Sequence, residues 1–69
     1  MTEFQKEIES ILSVLEDGEF ENASLMTESL MIRTTNLTTA SALRHLKQLL
    51  DGKDYTNSFL YLEQLLEKQ

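Results

Sequence analysis

Leu50-Asp51-Gly52-Lys53-Asp54-Tyr55-Thr56-Asn57-Ser58-Phe59-Leu60-Tyr61-Leu62-Glu63-Gln64-Leu65-Leu66 holds a helix end, a break and a new helix in one stretch. Asp51-Gly52 ends the periodic apolar pattern that precedes it. Asp54 is a good N-cap, because its carboxylate can accept the free backbone N–H groups of a first turn. Tyr55, Ser58, Phe59, Leu62, Leu65 and Leu66 then recur at spacings of three and four, which places them on one side of a helix. Leu60 and Tyr61 fall outside that stripe. The same layout occurs earlier, as Leu15-Glu16-Asp17-Gly18-Glu19-Phe20-Glu21-Asn22-Ala23.

Working outward, the two stretches belong to one longer pattern. A shift of 35 residues pairs Ile8 with Leu43, Ile11 with Leu46, Val14 with Leu49 and Leu15 with Leu50. It also pairs Phe20 with Tyr55, Asn22 with Asn57, Ala23 with Ser58, Leu25 with Leu60, Glu28 with Glu63, Leu30 with Leu65 and Met31 with Leu66. Only the glycine slips, by one position. Self-similarity at such a period marks one supersecondary unit written twice, by duplication or by convergence on one hairpin geometry.

Four helices follow. The first is expected over Thr2–Asp17, with Phe4, Ile8, Ile11, Leu12 and Leu15 on its apolar face, widened by Val14. Gly18 can take the left-handed conformation that closes a helix. The second is expected over Glu19–Arg33, with Phe20, Ala23, Thr27, Leu30 and Met31 as its core stripe. Leu25 and Ile32, seven apart, form a second narrow stripe, with Met26 between the two. A helix apolar over so much of its circumference has neighbours on more than one side. The third is expected over Thr39–Asp51, with Ala42, Leu43, Leu46, Leu49 and Leu50 buried. Before it, Arg33-Thr34-Thr35-Asn36-Leu37-Thr38-Thr39 reads as a hinge, because Thr and Asn compete with helices for backbone bonds. Thr38 as N-cap would staple Leu37 to Ala42; Asn36 is the rival cap. The fourth runs over Asp54–Glu67.

The fold class is therefore all-α: four short helices forming two antiparallel helical hairpins, over 2–33 and 38–67, in a single domain spanning 1–69. Sixty-nine residues leave room for no second domain. Gly52-Lys53-Asp54-Tyr55-Thr56-Asn57-Ser58, followed by Leu62 and Leu65-Leu66, resembles the turn and second helix of tetratricopeptide repeats, whose period is about 34 residues. Phe20, Ala23, Thr27 and Leu30-Met31 resemble it more loosely, so the likeness covers about half of the chain. It implies a helical-hairpin protein that binds other proteins. The period is also close to that of pentatricopeptide repeats, which read RNA, but the acidic balance and the want of a basic stripe oppose that function.

Composition excludes several classes of chemistry. The chain has no Cys and one His, His45, so disulfides, thiolate zinc sites and His-rich metal sites are ruled out. No Ser-His-Asp or Cys-His set and no Gly-rich phosphate loop can be assembled. The expectation is a protein that is not an enzyme and has no cofactor and no metal. His45 reads as structural or solvent-facing. The N-terminal Met1-Thr2-Glu3-Phe4-Gln5-Lys6-Glu7 lacks the basic-then-apolar layout of a signal peptide, and no apolar run reaches the ~20 residues of a spanning helix. A cytoplasmic location with no membrane association is expected.

Charge is uneven. The net charge is −6, and residues 1–28 alone hold eight acids against Lys6, a net of −7. Such a front half repels phosphate backbones, so general nucleic-acid binding is not expected. It also keeps a small protein soluble. The functional expectation is a small acidic protein–protein interaction module, acting as an adaptor, regulator or inhibitor and self-associating as a homo-oligomer. Its partner would offer a basic surface or an amphipathic helix. Leu25, Met26, Ile32, Leu60 and Tyr61 are the candidate partner-binding residues, since Met-rich apolar surfaces adapt to partners. The alternative is a protein that sequesters a small phosphate-bearing ligand. Arg33, Thr34 and Thr35 precede a helix N-terminus, which attracts anions, and Arg44 and Lys47 could add charge.

Overall fold

The computed structural model of the chain describes residues 3–67. It contains four helices: α1 (Glu3–Glu16), α2 (Phe20–Arg33), α3 (Leu37–Asp51) and α4 (Tyr55–Glu67). No strand occurs among the described residues. The expected helix start at Thr2 lies outside them. Each helix packs on two others: α1 on α2 and α4, and α3 on α2 and α4. The hairpins α1–α2 and α3–α4 therefore close into a four-helix ring, with α1 opposite α3 and α2 opposite α4.

The core follows from the apolar stripes. Ile8, Ile11 and Leu15 of α1 meet Leu43, Leu46 and Leu50 of α3, Leu62 and Leu65 of α4, and Ala23 and Leu30 of α2. Two hydroxyl residues, Thr27 and Ser58, are buried with them. Both hydroxyls donate back into their own helices, Thr27 to the Ala23 carbonyl at 2.9 Å and Ser58 to the Asp54 carbonyl at 2.8 Å. No buried side-chain nitrogen or oxygen among the described residues lacks a partner. At about 1.5–3 kcal/mol for each fully buried large aliphatic side chain, this shared cluster is the main force holding the ring.

The buried residues fall into six pairs separated by 35: Ile8 and Leu43, Ile11 and Leu46, Leu15 and Leu50, Ala23 and Ser58, Thr27 and Leu62, Leu30 and Leu65. The backbone repeats just as closely. Gly18 N–H donates to the Leu15 carbonyl and Glu19 N–H to the Val14 carbonyl; Lys53 N–H donates to Leu50 and Asp54 N–H to Leu49. Each pair is a Schellman closure, in which two N–H groups beyond the helix satisfy its last carbonyls. The equivalent rings Phe20 and Tyr55 stack on each other, centroids 3.7 Å apart and planes within 7°. When a residue touches its own counterpart, an approximate two-fold axis passes between them, as in a symmetric dimer. The α1–α4 and α2–α3 interfaces are the two copies of that dimer contact.

Three boundaries differ from the sequence reading. Asp17 belongs to the first turn rather than to α1, because Gly18, at φ +80°, closes the helix. Glu19 stands before α2 rather than within it, whereas Asp54 precedes α4 as the N-cap expected of it, its carboxylate accepting the Asn57 N–H at 3.4 Å. The third helix begins at Leu37 rather than Thr39. Its cap is Asn36, whose side chain accepts the Thr39 N–H at 3.0 Å, while its carbonyl accepts the Ala40 N–H at 2.8 Å. Thr38 thus lies inside the first turn and caps nothing. Leu37, 87% exposed, does not staple the helix start. Asn outranks Thr as an N-cap, which is the physical reason for the outcome.

Candidate docking surface

The five apolar candidates separate into two groups. Successive helical residues are turned by about 100°. On α2, Leu25 and Ile32 therefore point away from Ala23, Thr27 and Leu30, and they are 62% and 78% exposed. Met26 is half-buried at the edge of the core. On α4, Leu60 also points away from the core, at 49% exposure, and Tyr61 is half-buried. Because α2 and α4 are opposite members of the ring, their outer faces point to opposite flanks of the molecule. Leu25 and Leu60 are counterparts under the 35-residue shift, yet they do not share a surface.

Each group has a distinct setting. Leu60 and Tyr61 line an open depression of about 330 Å³ with His45, Leu49, Asn57 and Gln64. His45 meets the Tyr61 ring edge-on, centroids 4.7 Å apart, so its role here is to pack. Tyr61 also borders a larger depression of about 550 Å³ between the starts of α1 and α3 and the end of α4, with Phe4, Leu37, Ala42 and Leu65. The outer side of α2 is convex. There Glu21, Leu25, Glu28 and Ile32 follow at spacings of four, three and four, within an arc of roughly 60°. All four are exposed. Neither Glu21 nor Glu28 has an ion-pair or hydrogen-bond partner for its carboxylate among the described residues.

The five candidate anion-binding residues do not converge. The Arg33 guanidinium lies 3.5 Å from the Glu7 carboxylate. Arg33 and Thr34 border a depression of about 250 Å³ that also contains Glu3 and Glu7. Two carboxylates at its wall oppose an anion. Thr35 is exposed, and the Thr34 hydroxyl accepts the Asn36 N–H at 3.4 Å. Lys47 sits ten residues into α3, about 15 Å along the helix from its start, and is engaged there. Its ammonium donates to the Ser24 hydroxyl and to Asp51 Oδ1, both at 2.9 Å, and Ser24 donates to the same Asp51 oxygen at 3.3 Å. The Lys47 hydrogen bond and charge hold the Asp51 carboxyl below the ordinary aspartate range, against a smaller opposing effect of desolvation. Arg44 is exposed on α3 and takes no part in that cluster.

Two features were missed by the sequence reading. The spacing of Lys47 and Asp51, four apart on one helix, was a visible signal for their pairing; Ser24 joins them only through the α2–α3 contact. The alternation of Glu21 and Glu28 with Leu25 and Ile32 was also visible in the helical period. The reading of the acids as a solvated, solubilising face concealed it.

No group of His, Asp and Glu among the described residues is arranged to hold a metal ion. No helix among them is long and apolar enough to cross a membrane. No protein-family model, curated protein or solved structure matches the chain.

Proposed function

We propose that the chain is a small helical docking module, an adaptor, regulator or inhibitor that works by binding another protein. The observation that carries this reading is the outer face of α2. Leu25 and Ile32 stay 62% and 78% exposed although the core is complete without them. The counterpart of Ile32 on α4 is Glu67, which shows that the scaffold accepts a charged residue at that position. An isoleucine kept in water there contributes nothing to folding and is available to a partner, and apolar residues rimmed by polar ones are the common form of an interaction patch.

The test compares the wild-type chain with the L25S/I32S double variant as baits in cells of the source organism. Both positions are exposed, so the variant should keep its melting temperature within a few degrees, since surface substitutions away from special features change stability by about ±0.5 kcal/mol. A protein recovered with wild type and lost with the variant supports the docking function. Recovery of the same proteins in the same amounts by both forms overturns it.

A further inference from the structure

We infer that the occupant of the α2 face is a basic amphipathic helix of a different protein, lying along Glu21, Leu25, Glu28 and Ile32. This rests on the docking reading above and adds the chemical class of the partner.

The first support is the alternation itself. Carboxylate, leucine, carboxylate and isoleucine succeed one another along a single helix face over three turns. A partner helix with apolar residues seven apart, flanked by Lys or Arg, meets all four groups in one register. Helix-on-helix recognition anchors on such spacings. The two carboxylates have no cation among the described residues to satisfy them, so they are open to one from outside.

The second support comes from the 35-residue repeat. The counterparts of Glu21, Leu25, Glu28 and Ile32 on α4 are Thr56, Leu60, Glu63 and Glu67. The two halves are buried at the same positions, and of these four outer positions they keep Leu25/Leu60 and Glu28/Glu63 but differ at Glu21/Thr56 and Ile32/Glu67. The acid–apolar alternation is therefore not a requirement of the hairpin geometry. In full, with Glu21 and Ile32 at its ends, it belongs to α2 alone.

The third support is the field around the face. Residues 1–28 carry a net charge of −7. Such a field attracts a cationic segment and speeds its encounter. The same field disfavours a second copy of this chain, which brings a net charge of −6 of its own. Nor do the described residues offer a basic strip to fit. Arg33 and Lys47 are engaged with Glu7 and Asp51, while Lys6, Arg44 and Lys53 lie on different elements.

The experiment uses the full chain and a synthetic helical peptide with leucines seven apart, each flanked by lysines, beside the same peptide with glutamates for lysines. Affinity is read by fluorescence anisotropy at about 50 and 300 mM salt, a range over which exposed charges become screened. Amide shifts of the ¹⁵N-labelled chain map the contact. The lysine peptide is expected to bind, with shifts along α2, and the glutamate peptide is not. L25S/I32S should weaken binding about tenfold or more. E21Q/E28Q should weaken it at low salt and flatten its salt dependence. The α4 control L60S/E63Q should change affinity less than about twofold.

Three results would overturn the inference. One is equal loss in the α2 and α4 variants, which means diffuse charge attraction. Another is a solution mass twice the 8.0 kDa of one chain that L25S/I32S restores to the monomer, which makes a second copy the occupant. The third is no binding of the lysine peptide at all. The co-purification test still decides the docking function in that last case, so the two failures are separable.

Discussion

Lys53 occupies a backbone conformation that its side chain resists. It has φ +60°, in the left-handed region, and it is the counterpart of Gly18 at φ +80°. A Cβ in that region costs roughly 1–2 kcal/mol, which glycine avoids. Lys53→Gly should therefore stabilise the chain by about 1 kcal/mol, less whatever glycine adds to the unfolded entropy. Gly18→Ala should destabilise it by about 1–2 kcal/mol, although no atom stands in the way of the added Cβ. Chemical denaturation of the two variants checks both signs. The slip of one residue between Gly18 and Gly52 was visible in the sequence, and it marks the place of this strain. Gly52 holds φ −80° and needs no glycine for its dihedral angle.

Asp51 is a second case at this scale. Its folded-state pKa lies below the unfolded value because Lys47 bonds and attracts the ionised form. The stabilisation it contributes is thus fully present above about pH 4, the ordinary aspartate range, and is lost as pH falls through the lower folded value. The carboxylate is exposed, so solvent screening keeps the effect small. Asp51→Asn should lower stability at pH 7 and leave it less dependent on pH in the acid range. Denaturation midpoints measured from neutral pH down to about pH 2.5 would show this.

Among the elements, the start of α3 depends on one side chain. Asn36 alone caps it, and Asn36→Ala should cost about 1 kcal/mol. Thr38→Ala should cost much less, because Thr38 lies inside the helix. Equal losses in the two variants would return the cap to Thr38. Sequence could name both candidates but could not choose, because both residue types cap helices and both precede apolar residues, and the modest advantage of Asn over Thr does not by itself fix where the chain turns. By contrast, the four stripes facing the core were legible except at their edges, where Phe20, 37% exposed, and Leu49, half-buried outside the core cluster, were expected to be buried in it. Helical periodicity depends on the spacing of residues along one segment and needs no knowledge of the others. The outward stripe of α2 was legible too, as Leu25 and Ile32. Which way it points depends on where α1 and α3 pack.

For the whole molecule, the near two-fold axis means that one core serves two hairpins, and neither buries its face alone. Leu46 and its counterpart Ile11 are both fully buried. Leu46→Ala should cost about 2–5 kcal/mol, a large fraction of what a domain of this size possesses. Loss of cooperative unfolding should therefore extend to all four helices together, and circular dichroism during thermal unfolding would record one transition or none. A variant in which α1–α2 survives melting of α3–α4 would contradict the shared core. Charge acts at the same scale. The crowding of acids in the first half is screened by salt, so the melting temperature should rise between about 10 and 300 mM sodium chloride.

The symmetry also has a local exception. The Ser24–Lys47–Asp51 cluster ties α2 to α3, whereas its counterparts at the α1–α4 interface are Phe59, Leu12 and Glu16. Phe59 and Leu12 are half-buried against the core. One copy of the contact is thus closed by hydrogen bonds and the other by apolar packing. The repeat is kept where the core demands it and relaxed where solvent reaches.

The sequence by itself determined the number of helices, the residues each turns inward and the 35-residue repeat, because spacing along a segment is a local property. Tertiary structure alone decided that the hairpins close into a ring and that Phe20 meets Tyr55 on the axis. It also decided that Leu25 and Leu60 face apart and that Ser24 joins Lys47 and Asp51. Those outcomes depend on how two apolar faces are set against each other in space, and no spacing within either face contains that information.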